Sequence, residues 1–293
     1  MNIMDAEIKR KYLEAGRIGK KALEIGASMI EPGARLLDVA NAMEKFVKDE
    51  GALPAFPVNL SINNDAAHYT PAINDKKTFK TGDVVKVDFG AHIDGYMSDT
   101  AITVEVGEQG KHSDLIDAAR QALNAAIELV RPMKSVNEIG RRIAEVISSY
   151  GFKPVRNLGG HGVERYDLHA SIFIPNYDDG NVVRLQPDHA IAIEPFASTG
   201  IGMIHEGQPG NIYMIDRPKP REDEIIYRNF NKLPFAERWL EGLVEDPKSY
   251  IKRMMASKEL YSFPVLKEHN GAFIAQFEHT MIVLNDEVIV TTR

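Results

Sequence analysis

The segments EPGARLLDVANAMEKFVKDEGALP, Glu31 to Pro54, and RPMKSVNEIGRRIAEVISSYGFKP, Arg131 to Pro154, carry the same punctuation. Pro32 and Pro132, Asp38 and Glu138, Gly51 and Gly151, and Pro54 and Pro154 each stand 100 residues apart. Between these marks, Val39, Met43, Phe46 and Val47 in one copy and Val136, Ile139, Ile143, Val146 and Ile147 in the other take the spacing that lines one face of an α-helix. A second stripe precedes each: Ile18, Ala22, Ile25 and Met29 before Glu31-Pro32-Gly33, and Ile116, Ala119, Leu123, Ile127 and Val130 before Pro132. Four marks at one offset indicate an internal duplication, and two copies at this period make a paired half-domain rather than a solenoid.

Each helix pair runs into β-rich sequence. Val84 to Val87 with Ala101 to Val104 reads as a hairpin, and Ala190 to Ile193 and Phe277 to Leu284 read as strands of the second half. The expected fold is α+β, with the helices packed on one side of a common antiparallel sheet. The second half carries extra material, roughly Glu206 to Tyr261, read as an inserted helical subdomain with candidate helices around Phe235 to Leu243 and Lys248 to Leu260. Its acidic-basic run from Pro218 to Glu224 reads as solvated surface. The 293 residues are therefore expected to form one domain, 1–293, with a helical insertion at about 206–261.

Composition removes several function classes. With no cysteine there is no disulfide framework, thiolate metal site or Cys nucleophile, so any metal is held by oxygen and nitrogen. A net charge of −7 argues against a dominant contact with nucleic acid. The amino terminus lacks the apolar core of a signal peptide and no apolar run approaches the ~18 residues of a membrane span, so the expectation is a cytoplasmic protein without membrane association.

The hairpin VDFGAHIDGYMSDT, Val87 to Thr100, places Asp88 inside an apolar strand and Asp99 eleven residues later. A loop centred between Ile93 and Asp94 sets the two directly opposite, a two-residue Asp94-Gly95 turn sets them diagonally, and an odd-numbered loop without a bulge separates them. Directly opposed carboxylates about 5 Å apart repel by roughly 3 kcal/mol at an effective dielectric of 20. A shared proton, a basic partner or a cation would offset this. Glu194 at the end of HAIAIEPF, Glu278 in QFEHTMIVL and His161 in the glycine-flanked NLGGHGVERYDLH add two acids in β-context and an imidazole. Four carboxylates and one imidazole suit a pair of divalent cations about 3.5 to 4 Å apart, which makes hydrolysis the natural chemistry.

Together, VDFGAHIDGYMSDTAIT, GGHGVERYDLH, AIEPF and AQFEHT resemble the metal-binding motifs of the methionine aminopeptidases, specifically the type 2 branch found in archaea. The resemblance spans essentially the whole chain, including the inserted region between the two glutamates. It implies the pseudo-two-fold pita-bread fold and, by motif position, the metal ligands Asp88, Asp99, His161, Glu194 and Glu278, with Asp99 and Glu278 bridging two ions, Asp88 completing one shell and His161 with Glu194 completing the other. It implies catalytic roles for His68, in NNDAAHYTP, for His169, in RYDLHAS, and for Glu194 as a proton relay. By the same resemblance, His68 is expected to line the mouth of the site and His169 to hydrogen-bond the substrate amide and the tetrahedral intermediate. Phe56, Leu168, Ile212 and Phe263 take the positions of the methionine pocket. Ile212 stands where some eukaryotic type 2 enzymes carry histidine, and Phe263 where they carry tyrosine.

The implied activity is removal of the N-terminal methionine from nascent proteins and peptides when the second residue is small. A hydroxide between two metal ions attacks the scissile carbonyl; Co, Mn, Fe and Zn all suit such a site. Nascent polypeptide termini are the implied partners, met by a monomer near the ribosome, although the amino-terminal extension of the eukaryotic proteins is absent. Three rivals share the motif logic: an Xaa-Pro peptidase with the same five ligands, which usually carries a large amino-terminal domain; a catalytically silent pita-bread binding protein, which usually has lost ligands; and a structural dinuclear site without turnover.

Overall fold

The computed structural model describes residues 4–107, 110–215 and 223–293. Helices α1 (Ala6–Ser28) and α2 (Leu36–Asp49) open the first half, and α3 (Ser113–Ile127) and α4 (Val136–Ser149) open the second. The bounds of α2 and α4 differ by the same 100 residues as the punctuation. Gly51 and Gly151 end the two copies with φ of +79° and +85°, a left-handed conformation that costs glycine nothing. At the other end of the pair, the Asp5 carboxylate accepts the Ile8 N–H at 2.8 Å and starts α1. The apolar stripes are the buried faces: Ile18, Ala22, Val39, Met43 and Val47 pack under one sheet, and Ala119, Leu123, Ile139, Ile143 and Ile147 under another.

The strands repeat as the helices do. In the first half, Asn59–Ile62, Val84–Phe89 and Thr100–Glu105 form an antiparallel sheet in that order. In the second, Gly159–Glu164, His189–Ile193 and His279–Val283 stand in the same order inside a five-stranded sheet flanked by Asp167–Pro175 and Val288–Val290. Leu53–Pro54 pairs with Ala91–Ile93, and 100 residues on Lys153–Pro154 pairs with Phe196–Ser198. The halves are joined where Ala101 and Glu278 exchange backbone hydrogen bonds and where the Thr280 hydroxyl donates to the Asp99 carbonyl while accepting the Asp99 N–H, both at 2.7 Å.

Besides the two flanking strands, the halves differ at the hairpin tips. The first hairpin closes through the two residues Asp94 and Gly95, with φ of +52° and +85°, and pairs Ile93 with Tyr96. In the equivalent place the second half carries everything between Ser198 and Ile274. This stretch is only partly helical. A long ribbon of His205–Ile215 against Leu260–Lys267 carries α5 (Asp223–Phe230) and α6 (Pro247–Ala256) at its end, around a small core that includes Ile226, Phe235, Leu240 and Met254. The expected helix at Phe235 to Leu243 is instead a short strand, Phe235–Ala236, followed by a single 3₁₀ turn, Glu237–Leu240. Its apolar residues are buried by the insertion's own core without helical periodicity, and α5 was not expected at all. Residues 218–222 of the charged run lie outside the described residues.

The insertion is tied to the first half by ions. Arg238 pairs with Glu44 of α2, both side chains being about 5% exposed, and also donates to Thr70 Oγ1 at 2.8 Å and to the Pro71 carbonyl at 3.0 Å. The Trp239 indole N–H donates to the other oxygen of Glu44 at 2.8 Å. None of the described helices is long and apolar enough to cross a membrane.

Candidate metal centre

The hairpin register is the diagonal one. Asp88 stands across from Ala101 and Phe89 from Thr100, in phase with Ile93 and Tyr96 at the turn. Of the three registers left open, the two-residue turn selects the diagonal one, with Asp99 two residues before the partner of Asp88 and both acids on one face. Asp88 lies on the middle strand of the first sheet and Asp99 just before its third strand. Glu194 follows the middle strand of the second sheet, and Glu278 sits just before its third. The duplication thus delivers two carboxylates from each half to the joint between them.

His161 comes from Gly159–Glu164, the first strand of the second sheet. A Cβ at Gly160 would come within 2.2 Å of the Ala192 carbonyl oxygen, so only glycine lets this strand lie so close to the one that leads to Glu194. His161 Nδ1 lies 3.1 Å from the Gly162 carbonyl; donating there leaves Nε2 as a lone pair toward the acids. Nε2 is 3.5 Å from Asp99 Oδ2 and 3.9 Å from Glu194 Oε1. Asp99, His161 and Glu278 each place a ligating atom within 4.8 Å of the other two, all buried.

The electrostatics are those of acids missing a counter-charge. Burial pushes Asp88 up to about 7, and pushes Asp99, Glu194 and Glu278 well above the usual carboxylate range, with the neighbouring acids adding to the shift. The nearby imidazole does not compensate: burial, then the charge of His169, pushes His161 down to about 3. Lys86, fully buried two residues before Asp88, spends its ammonium on the Asn63 carbonyl at 2.8 Å. Asp88 Oδ1 and Glu278 Oε1 are buried with no hydrogen-bond partner. An all-oxygen set with orphaned acceptors and one neutral imidazole fits hard or borderline divalent cations.

The eleven residues named from sequence line one cavity of about 480 Å³: Phe56, His68, Asp88, Asp99, His161, Leu168, His169, Glu194, Ile212, Phe263 and Glu278. Asn59 and Asn157 line it as well, with further apolar residues such as Ile172 and Phe196. The His169 ring lies 4.5 Å from that of His161, tilted by 56°. His68 sits at φ +65°, edge-on to Phe263 at 5.3 Å, with its buried Nδ1 unpartnered. Burial holds His68 near 4, so it is a neutral donor and acceptor at ordinary pH.

Two residues escaped the sequence reading. Gln276 is fully buried, and its amide nitrogen reaches Asp88 Oδ2 at 3.2 Å and Glu194 Oε2 at 3.1 Å. Thr280 clamps the Asp99 backbone. Both lie two residues from Glu278, in QFEHT, and the period-2 alternation of a strand would have put them on its face.

Two hairpins and the neighbouring strand of His161 that bring four carboxylates and a neutral imidazole into one cavity define a metallohydrolase. Residues 10–285 match metallopeptidase family M24, and the chain belongs to that family. Within it, the chain stands with the methionine aminopeptidases of archaeal type. It is 46% identical over 295 residues to the methionine aminopeptidase of Pyrococcus abyssi, covering 97% of this chain and 99% of that protein. It is 43% identical over 297 residues to the one from Archaeoglobus fulgidus, covering 99% and 100%. The crystal structure of methionine aminopeptidase from Thermotoga maritima aligns over 100% of this chain and 99% of that one, with a TM-score of 0.75 at 24% identity, and the fold is the pita-bread fold of M24.

Proposed function

We propose that Asp88, Asp99, His161, Glu194 and Glu278 hold two divalent metal ions in a chain that acts as a methionine aminopeptidase, cleaving the N-terminal methionine from polypeptides whose second residue is small. The observation that carries this is that the five ligating side chains line one cavity together with the apolar Phe56, Leu168, Ile212 and Phe263. When bound, such a pair of ions lowers the pKa of a water and polarises the scissile carbonyl.

The chain's own groups account for the remaining steps. Phe56, Leu168, Ile212 and Phe263 offer the methionine side chain an apolar pocket. Glu194, beside His161 and open to the cavity, accepts a proton from the attacking water and returns it to the leaving amine. His169 donates to the oxygen on which charge develops, and His68 borders the methionine subsite from its place on Phe263. The same reading treats residues 1–293 as one domain with an insertion, acting as a cytoplasmic monomer on nascent chains near the ribosome.

Metal-loaded protein assayed on Met-Gly-, Met-Leu- and Gly-Pro-initiated peptides tests the reading. Free methionine from the first and little from the second supports it. Cleavage of the proline peptide alone overturns it in favour of an Xaa-Pro peptidase, and no cleavage of any favours a binding protein or a structural site.

A further inference from the structure

Gln276 presents an arrangement that packing alone does not account for. Its side chain is fully buried, and its carbonyl Oε1 has no hydrogen-bond partner, a cost that an apolar side chain of the same shape avoids. Its amide nitrogen has two hydrogens and faces two carboxylate oxygens, Asp88 Oδ2 at 3.2 Å and Glu194 Oε2 at 3.1 Å. With cations bound both carboxylates are ionised and only accept, which suits the NH₂ end that is turned toward them. The root of the side chain is fixed as well: the Gln276 N–H donates to Thr103 Oγ1 at 2.8 Å, and that hydroxyl donates back to the Gln276 carbonyl at 2.7 Å.

Asp88 and Glu194 come from different halves of the duplication, and on the metal reading proposed above each completes the shell of a different ion. We infer that Gln276 is a positioning residue that couples the two metal sites, its single NH₂ group holding one oxygen of Asp88 and one of Glu194 so that their other oxygens face the cavity. Each carboxylate then has one oxygen spent on the amide. Asp88 Oδ1 is left buried without a partner, and Glu194 Oε1 is left 3.9 Å from His161 Nε2. Neither carboxylate can turn away without breaking a hydrogen bond to the same nitrogen.

The inference rests on the five-ligand reading, and titration of the metal-free full chain with Co²⁺, followed by calorimetry and by the visible absorption of the bound ion, separates the two. Gln276→Met keeps the bulk and removes both donors; Gln276→Asn keeps the donors and cannot span both acceptors. In either variant the affinity of both binding steps is expected to fall on the order of tenfold or more, the loss typical of a deleted partner of a metal ligand. The melting temperature of the metal-free protein should stay within a few degrees of wild type. Weakening of only one step, or of neither, in a variant that still melts cooperatively overturns the coupling. A wild-type protein that itself shows no second binding step overturns the two-ion reading and the coupling with it.

Discussion

Replacing Arg238 by methionine leaves the Glu44 carboxylate buried with neutral donors only, the Trp239 indole at 2.8 Å and the Val58 N–H at 3.3 Å. Stripping the partner from a buried ion pair costs about 3 to 5 kcal/mol, because the remaining charge has lost both its counter-ion and its water. The same change frees Thr70 and Pro71, two and three residues beyond His68, so kcat/KM for a Met-Gly peptide should fall as well. Equilibrium urea unfolding measures the first effect. Trp239 is the one tryptophan in the chain, so its fluorescence reports this contact directly and far-UV circular dichroism supplies the global signal. The double variant Glu44→Leu with Arg238→Met should cost less than Arg238→Met alone, since it leaves no buried charge. A loss below about 1 kcal/mol for the single variant, with activity intact, would refute the view that this pair anchors the insertion to the first half.

Without metal, the four site carboxylates keep protons that the unfolded chain releases above about pH 4, Asp88 up to about 7, whereas the buried His68, His92, His161 and His279, held near 3 to 4, release protons that the unfolded chain keeps up to about 6.5. The two sets oppose each other below about pH 6.5; above it the carboxylates prevail, and stability should fall as pH rises from about 6.5 to 8. Adding Mn²⁺ at about 100 times its dissociation constant at pH 8 should restore about 2.7 kcal/mol, seen as a rise in melting temperature, and a metal-free protein that is most stable at pH 8 contradicts this account. His169→Ala should lower kcat by about 10²- to 10³-fold with near-normal metal content by elemental analysis; unchanged kcat removes His169 from the reaction. Phe263→Ala should reduce kcat/KM for methionine by roughly 10- to 200-fold while Co²⁺ binding stays as in wild type, and equal turnover would place the methionine pocket elsewhere.

The helical frame was readable because its signals are local: apolar spacing, and proline or glycine at helix ends that recur at one offset. The acids were readable because a carboxylate in an apolar strand is costly and so conspicuous. What stayed hidden depends on register or on distance along the chain. Sequence alone leaves three registers open for the Asp88 hairpin, and only the left-handed conformations of Asp94 and Gly95 select the diagonal one. The stripe at Phe235 to Leu243 looked helical because burial, not periodicity, places its apolar residues. Arg238 finds Glu44 from 194 positions away, and Gln276 finds Asp88 from 188, separations at which no spacing rule operates.

The carboxylates stand at the bases of two equivalent hairpins, which differ in register, Glu194 facing Glu278 directly where Asp88 and Asp99 are diagonal, and most of all at their tips. One tip is two residues; the other is the whole stretch between Ser198 and Ile274. Closure entropy grows slowly with length, at about 0.6 kcal/mol per doubling, so a tip can be lengthened at small thermodynamic cost when the paired strands beneath it hold their register. The architecture thus separates inheritance into two parts, a base under strict geometric control and a tip open to insertion, exchange or grafting. The second tip is the natural place to splice a new recognition element into this scaffold without disturbing the acids below it.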